Sequence, residues 1–282
     1  MKITEKINIR FPKTLAEALR LQAAEKTRGR LLAGGTDLMV QWASGVPAPA
    51  LATSVWNLPE LTALEICGDI VEIGAGVTHA RIAGNKEVRR HLPALAAAAA
   101  TVGAAQIQAR GTLGGNAANA SPAGDTAPAL LVTGGTVVLA SLAGAREVPL
   151  AQFWTGYRQI AARPAEIIVA FRLPKRGKAA ERFRKIGTRQ AQAISKVMAA
   201  SRILVEKGRI VSAAIALGSV APTPIRLLAV EAFLAGKELS PTVIDEAEFL
   251  ARSVQPISDI RSTAEYRRWA SGRLVRDALE NL

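Results

Sequence analysis

Glycines, hydroxyls and short polar side chains gather at two places in this sequence, and those are the places built to hold a ligand. Leu31, Leu32, Ala33, Gly34, Gly35, Thr36, Asp37 and Leu38 form one: an apolar run, a Gly-Gly turn, a hydroxyl, then a carboxylate. Thr112, Leu113, Gly114, Gly115 and Asn116 form the other, continuing through Ser121-Pro122-Ala123-Gly124-Asp125. Adjacent glycines let a backbone turn at φ values other residues resist, and without a Cβ they let a ligand lie on the main chain. Ser121-Pro122 reads as a helix N-cap followed by proline at the first helical position. Exposed N–H groups in such a setting attract anions, above all phosphate. Neither stretch is a P-loop, because no Gly-Lys-Ser/Thr follows, and neither fits G-x-G-x-x-G. Two glycine turns, both backed by threonine, suit a pyrophosphate gripped from both sides, its charge met by backbone dipoles.

Other chemistries are poorly supplied. Cys67 is the only cysteine, which excludes an internal disulfide and a four-thiolate iron–sulfur cluster. His79 and His91 are the only histidines and have no metal-ligand spacing around them. No serine sits in a G-x-S-x-G elbow. Redox chemistry here would therefore need a bound organic cofactor. The net charge of +13 raises the question of nucleic acid, but the basic residues are spread out apart from Arg172 to Arg189 and Arg261 to Arg276. With 4% aromatic residues there is little to stack on bases, so a solvated basic surface or a face for an acidic partner is the expectation. No apolar run approaches the ~20 residues of a membrane span. Met1 to Glu5 lacks the apolar segment of a secretory signal, so a cytoplasmic location is expected.

The elements that must position the two stretches can be read in outline. Thr14 to Lys26 has helical spacing, with Thr14 as N-cap and Glu17 as its capping-box partner. Arg30 to Ala33 is a short buried strand entering the first glycine stretch, and Ala52 to Trp56 is another strand. Leu64 to Cys67 and Ile70 to Ile73 form a hairpin across Gly68-Asp69. Thr78 caps a helix, and His79 beside it could face a ligand but reads first as a packing or solvent-facing residue. An alanine-rich helix opens at Pro93 and ends near Thr101. Val102 to Arg110 reads as a polar connection, Asp125 to Val132 as helix, Thr136 to Ala140 and Glu166 to Phe171 as strands. Pro174 to Lys178 is the best linker. Beyond it, Arg182 to Ile186, Val197 to Glu206, Ile210 to Ala213 and Ile215 to Val220 read as antiparallel strands. Leu227 to Leu234, Pro241 to Ser253 and Tyr266 to Leu282 read as helices. A block of strands followed by a block of helices points to a separate α+β unit.

Ala-Gly-Gly-Thr-Asp-Leu at 33–38, Thr-Leu-Gly-Gly-Asn at 112–116 and Ser-Pro-Ala-Gly-Asp at 121–125 resemble the FAD-binding medium subunit of the molybdenum hydroxylases, the xanthine dehydrogenase and carbon monoxide dehydrogenase family. The resemblance runs from Phe11-Pro12 to Tyr266-Arg267-Arg268. It implies an α+β chain: an FAD-binding domain of the vanillyl-alcohol-oxidase type over 1–175, with α/β subdomains of about 1–56 and 57–175, and a C-terminal domain of antiparallel strands plus helices over 179–282. It implies that the two glycine stretches hold the FAD pyrophosphate and that Asp125 meets ribitol or adenosine hydroxyls. By the same resemblance Val102 and Val169 match apolar flavin-pocket positions, and Lys185 matches a cation near the flavin. Many members carry an acidic residue after that lysine; Arg189 to Lys196 has none, which leaves the acceptor open.

The implied function is electron transfer, with no catalytic residue of the chain's own. A large molybdopterin subunit would oxidise substrate, a small subunit with [2Fe–2S] clusters would conduct electrons, and FAD on this chain would pass them to NAD or another acceptor. A stand-alone flavin oxidase of the vanillyl-alcohol-oxidase fold and a non-catalytic assembly module are the alternatives.

Overall fold

The computed structural model describes residues 7–24, 30–189 and 191–282. The first part holds β1 (Asn8–Arg10), α1 (Leu15–Ala24), β2 (Arg30–Leu32), α2 (Leu38–Ala43) and β3 (Leu51–Ser54). β3 lies between β1 and β2 and is parallel to both. Helix α1 starts where its capping residues require: Thr14 Oγ1 accepts the Glu17 N–H at 3.2 Å, and the Glu17 carboxylate accepts the Lys13 N–H at 2.7 Å. The end of the expected helix, at residues 25 and 26, lies outside the described residues. A small core of Ala18, Leu19, Val55, Leu58 and Leu61 joins this part to the next.

The second part is built on a five-stranded sheet in the order β4-β5-β10-β6-β7, with every pairing antiparallel. In chain order it contains β4 (Leu64–Cys67), β5 (Ile70–Gly74), α3 (His79–Gly84), α4 (Lys86–His91), α5 (Pro93–Ala100), α6 (Ala105–Arg110), α7 (Leu113–Asn119) and α8 (Thr126–Leu131). Then follow β6 (Thr136–Ser141), β7 (Gly144–Pro149), α9 (Leu150–Phe153), the short pair β8 (Trp154–Gly156) and β9 (Gln159–Ile160), and β10 (Ile167–Pro174). The central strand β10 is the last made. The β4–β5 hairpin turns as expected across Gly68, which takes φ +57°. Alanine-rich α5 buries Ala94, Leu95, Ala98 and Ala99 in the main core.

Two local expectations are corrected. The connection from Val102 to Arg110 contains helix α6, whose residues Gln106, Gln108 and Arg110 favour helix without supplying an apolar stripe. Ser121-Pro122 does not begin a helix. Ser121 Oγ and its carbonyl accept N–H groups from Ala123 at 3.3 Å and Gly124 at 2.9 Å, closing a tight turn between α7 and α8.

The last part is a four-stranded antiparallel sheet of β11 (Ala180–Ile186), β12 (Val197–Glu206), β13 (Arg209–Gly218) and β14 (Ile225–Arg226), with α10 (Leu228–Leu234), α11 (Pro241–Ala251) and α12 (Ala264–Glu280). Residues 210–213 and 215–220, expected as separate strands, belong mainly to the single strand β13. The β12–β13 turn places Lys207 and Gly208 at φ +49° and +75°, a pair of left-handed residues that suits a right-twisted hairpin. One face of this sheet presents Val197, Ala199, Ile203, Ile215 and Leu217 to the core it shares with α10–α12. The other presents Ala200 and Ala216, cross-strand partners, to the main core of the second part. The sheet is thus covered on both sides. Among the described residues, no helix is long and apolar enough to cross a membrane.

Candidate cofactor-binding site

The first glycine stretch leaves the end of β2. Gly35 takes φ +75°, and its carbonyl accepts the Met39 N–H at 3.0 Å, while Asp37 O accepts the Gln41 N–H at 3.0 Å. The Asp37 carboxylate is held by the Gln41 side chain. The N–H groups of Gly34, Gly35, Thr36, Asp37 and Leu38 have no acceptor among the described residues. They form a continuous run of unoccupied donors. Val55 donates to Leu32 O at 2.9 Å, which brings Trp56, just past β3, beside this loop.

The second stretch is built differently. Leu113 N–H goes to Val77 O at 3.0 Å, Gly114 N–H to Ala75 O at 2.9 Å, Gly115 N–H to Thr112 Oγ1 at 3.1 Å and Asn116 N–H to Thr112 O at 2.9 Å. Thr112 is the N-cap of α7, and the two glycines lie in its first turn. Neither takes a left-handed φ, so the expectation of an unusual turn holds at Gly35 and fails at Gly114 and Gly115. What Gly114 supplies is closeness: a Cβ there would lie 2.6 Å from the Ala75 Cβ and 2.8 Å from its carbonyl oxygen.

The structure brings the two stretches into direct contact. A Cβ on Gly34 would fall 1.8 Å from the Arg110 carbonyl oxygen, and one on Gly111 would lie 3.4 Å from Thr36 Oγ1. Val169 belongs to the same neighbourhood. It sits at a bulge in β10, its carbonyl accepts the Ala75 N–H at 2.9 Å, and it packs against the same small core as Leu31 and Ala33.

Asp125 and Lys185 meet separately, next to Thr101 and so to Val102 in the chain. Lys185 Nζ donates to Asp125 Oδ2 at 2.6 Å and to Thr101 O at 3.1 Å, beside Val102. Asn116 Oδ1 accepts the Thr126 hydroxyl at 2.7 Å, tying α7 to the residue after Asp125. Burial raises the Asp125 carboxyl to about 6, against the opposing pull of the Lys185 ammonium. Its Oδ1 is buried without a partner.

Three further residues lie here: His79, which the sequence left between packing, solvent-facing and ligand-facing, and Trp56 and Arg110, to which it gave no role. His79 is buried at 1% exposure, and burial pushes its imidazole down to about 4. Its Nδ1 has no hydrogen-bond partner, and its Cδ2 lies 3.0 Å from where a Gly111 Cβ would be. Trp56 and Arg110 also meet here, the guanidinium 4.0 Å above the indole centroid. No motif marks either residue.

Residues 5–176 match the family model described as FAD binding domain in molybdopterin dehydrogenase, and residues 182–282 match CO dehydrogenase flavoprotein C-terminal domain. The chain belongs to the FAD-binding subunits of the molybdopterin dehydrogenases. This FAD-binding subunit is 31% identical over 258 residues to the xanthine dehydrogenase FAD-binding subunit of Escherichia coli O157:H7, covering 90% of this chain and 88% of the other. It is 32% identical over 269 residues to the nicotine 6-hydroxylase medium subunit of Paenarthrobacter nicotinovorans, covering 94% and 93%. Its fold superposes on a chain of carbon monoxide dehydrogenase from Hydrogenophaga pseudoflava with a TM-score of 0.95 at 27% identity, over 99% of this chain and 98% of that one. The residues fit the cofactor: unoccupied N–H donors at 34–38 suit a diphosphate, and the orphaned Asp125 Oδ1 suits a hydroxyl donor.

Proposed function

We propose that this subunit receives electrons from iron–sulfur clusters on a small partner subunit and passes them, through its FAD, to an external acceptor such as NAD. A large molybdopterin subunit would carry the substrate chemistry. The observation that carries the reading is the run of free N–H donors at Gly34 to Leu38, pressed against Arg110-Gly111 where no side chain fits. In this reading, Leu31 to Leu38 and Thr112 to Asn116 frame the diphosphate, the first supplying donors and the second supplying the wall. Asp125 accepts hydroxyls, Val102 and Val169 pack on apolar parts of the cofactor, and Lys185 places positive charge near the flavin. FAD supplies the electron-carrying chemistry that no side chain of this chain provides. The relatives named for xanthine, nicotine and carbon monoxide are similar to this chain along most of its length, which supports a substrate pocket on another subunit.

We also assign residues 1–175 to the FAD-binding domain, with parts of about 1–56 and 57–175, and 179–282 to the C-terminal domain. The basic surface offers a reason for docking, because positive charge steers and orients an acidic partner. Purification from the native host under mild conditions tests the proposal. The expected result is a yellow complex with one cysteine-rich and one large partner, containing iron and molybdenum, from which acid releases FAD into the supernatant. A metal-free homo-oligomer that turns over substrate unaided would instead favour a stand-alone flavin oxidase.

A further inference from the structure

We propose that Arg110, seated on the ring of Trp56, is the cation that meets the diphosphate of the bound cofactor. The proposal rests on the reading of the two glycine loops as the diphosphate site. Within that reading a charge is missing. The N–H groups of Leu113 to Asn116 are all occupied inside the protein, so the second loop gives the anion little. The first loop offers donors but no cation, and no lysine lies in either stretch.

Arg110 stands at the junction. Its carbonyl oxygen touches the place a Gly34 side chain would fill, and Gly111 follows it into the second loop. Its guanidinium lies 4.0 Å above the Trp56 ring. Trp56 is held there by the Val55 N–H to Leu32 O bond and by the turn at Asn57, which takes φ +59°.

Stacking uses the face of a guanidinium and leaves its N–H edge outward, in the fork geometry that pairs with phosphate oxygens. Among the described residues, that edge has no hydrogen-bond acceptor and no carboxylate. Other arginines of this chain are committed to acids: Arg146 to Glu166, Arg172 to Glu72, Arg202 to Glu181, Arg226 to Glu231 and Arg276 to Glu248. Arg110 is instead pre-positioned by an aromatic ring and free to bind. Trp56 is its positioning residue.

The full chain, stripped of flavin, is titrated with FAD at low and high potassium chloride, and ADP is used as a competitor that carries the diphosphate without the flavin. Arg110→Met should weaken both FAD and ADP by about tenfold or more, as expected for a lost charge-assisted contact, and should flatten the salt dependence. Arg110→Lys should keep the salt dependence with reduced affinity, and Trp56→Leu should weaken both ligands by a smaller factor. Circular dichroism of each flavin-free variant checks the fold. An Arg110→Met chain with unchanged affinity and unchanged salt dependence overturns the proposal, as does a Lys variant no better than Met. An unaltered chain that takes up neither FAD nor ADP overturns the diphosphate reading itself, and the proposal with it.

Discussion

His79 and Asp125 are buried titratable groups moved in opposite senses. The imidazole falls from 6.5 to about 4 and the carboxyl rises from 3.8 to about 6, both by desolvation. The native state therefore resists protonation at His79: that contribution is present above 6.5 and is lost as the pH falls toward 4. It favours protonation at Asp125: that contribution is present below 3.8 and is lost as the pH rises through about 6. Each shift corresponds to about 3 kcal/mol at full extent. Between them they cancel much of the pH dependence, and single variants should uncover it. Relative to His79→Gln, the wild type should lose stability in urea on going from about pH 7 to about pH 4.5; relative to Asp125→Asn, it should gain. Slopes of the same sign for both pairs would contradict the assignment. The residue scale is also where sequence was least informative. Gly34 and Gly114 were legible as close-approach positions, but that Gly34 meets Arg110 and Gly114 meets Ala75 depends on contacts distant in sequence. His79 looked ordinary because burial by another loop leaves no local mark.

Helix α7 shows what a cap does for a site. Thr112 Oγ1 holds the Gly115 N–H, and its carbonyl holds that of Asn116, so one residue fixes the first turn. Thr112→Val should cost about 1 kcal/mol, the usual worth of an N-cap hydroxyl, because it removes the acceptor of the Gly115 N–H. It should also lower the flavin content of the purified chain. Ser240→Ala, which removes the equivalent cap from α11, should cost a similar amount with flavin content unchanged. Equal flavin loss in both would mean that general instability, not the loop, governs retention. Elements with strong local signals were readable: the Gly68-Asp69 and Lys207-Gly208 hairpins, the capped α1 and α11, the alanine-rich α5. Others were not. Strand β7 is a polar edge strand, Gly-Ala-Arg-Glu-Val-Pro, that pairs only with β6, so it lacks the alternation of a half-buried strand. Ser121-Pro122 carries a true helix-start pattern, yet the preceding helix and the turn to Asp125 leave it no room.

At the scale of the molecule, the C-terminal sheet is bound to the second part by more than apolar packing. Glu181, paired with Arg202 inside the sheet, accepts the Ala94 N–H at 3.3 Å; Arg202 also donates to Thr133 O at 3.2 Å, and the Ser219 N–H goes to Pro122 O at 2.8 Å. Lys185 and Asp125 form a further tie across the same boundary. Thermal unfolding followed by tryptophan fluorescence and by far-ultraviolet circular dichroism should therefore give coincident transitions for these two parts. Separated transitions would show that the ties are weak. The linker expected at 174–178 was visible in the sequence as a break in composition, though Pro174 still belongs to β10; that the sheets beyond and before it share a core was not visible, since Ala200 and Ala216 are small and carry no signal of which side they face.

The position of β10 has a consequence for how the chain comes into being. It is the middle strand of its sheet but the last of that sheet to leave the ribosome. Until residue 167 emerges, the hairpins β4–β5 and β6–β7 each carry an open edge facing a strand that does not yet exist. Open edges invite pairing with other chains, and closing them requires contacts distant in sequence. During synthesis, therefore, the inner edges of β5 and β6 are complete before their partner strand is made. With β10 inserted, Val169 O holds the Ala75 N–H, and Ala75 in turn holds Gly114. The glycine wall thus rests, through Ala75, on the strand of this sheet that is synthesised last.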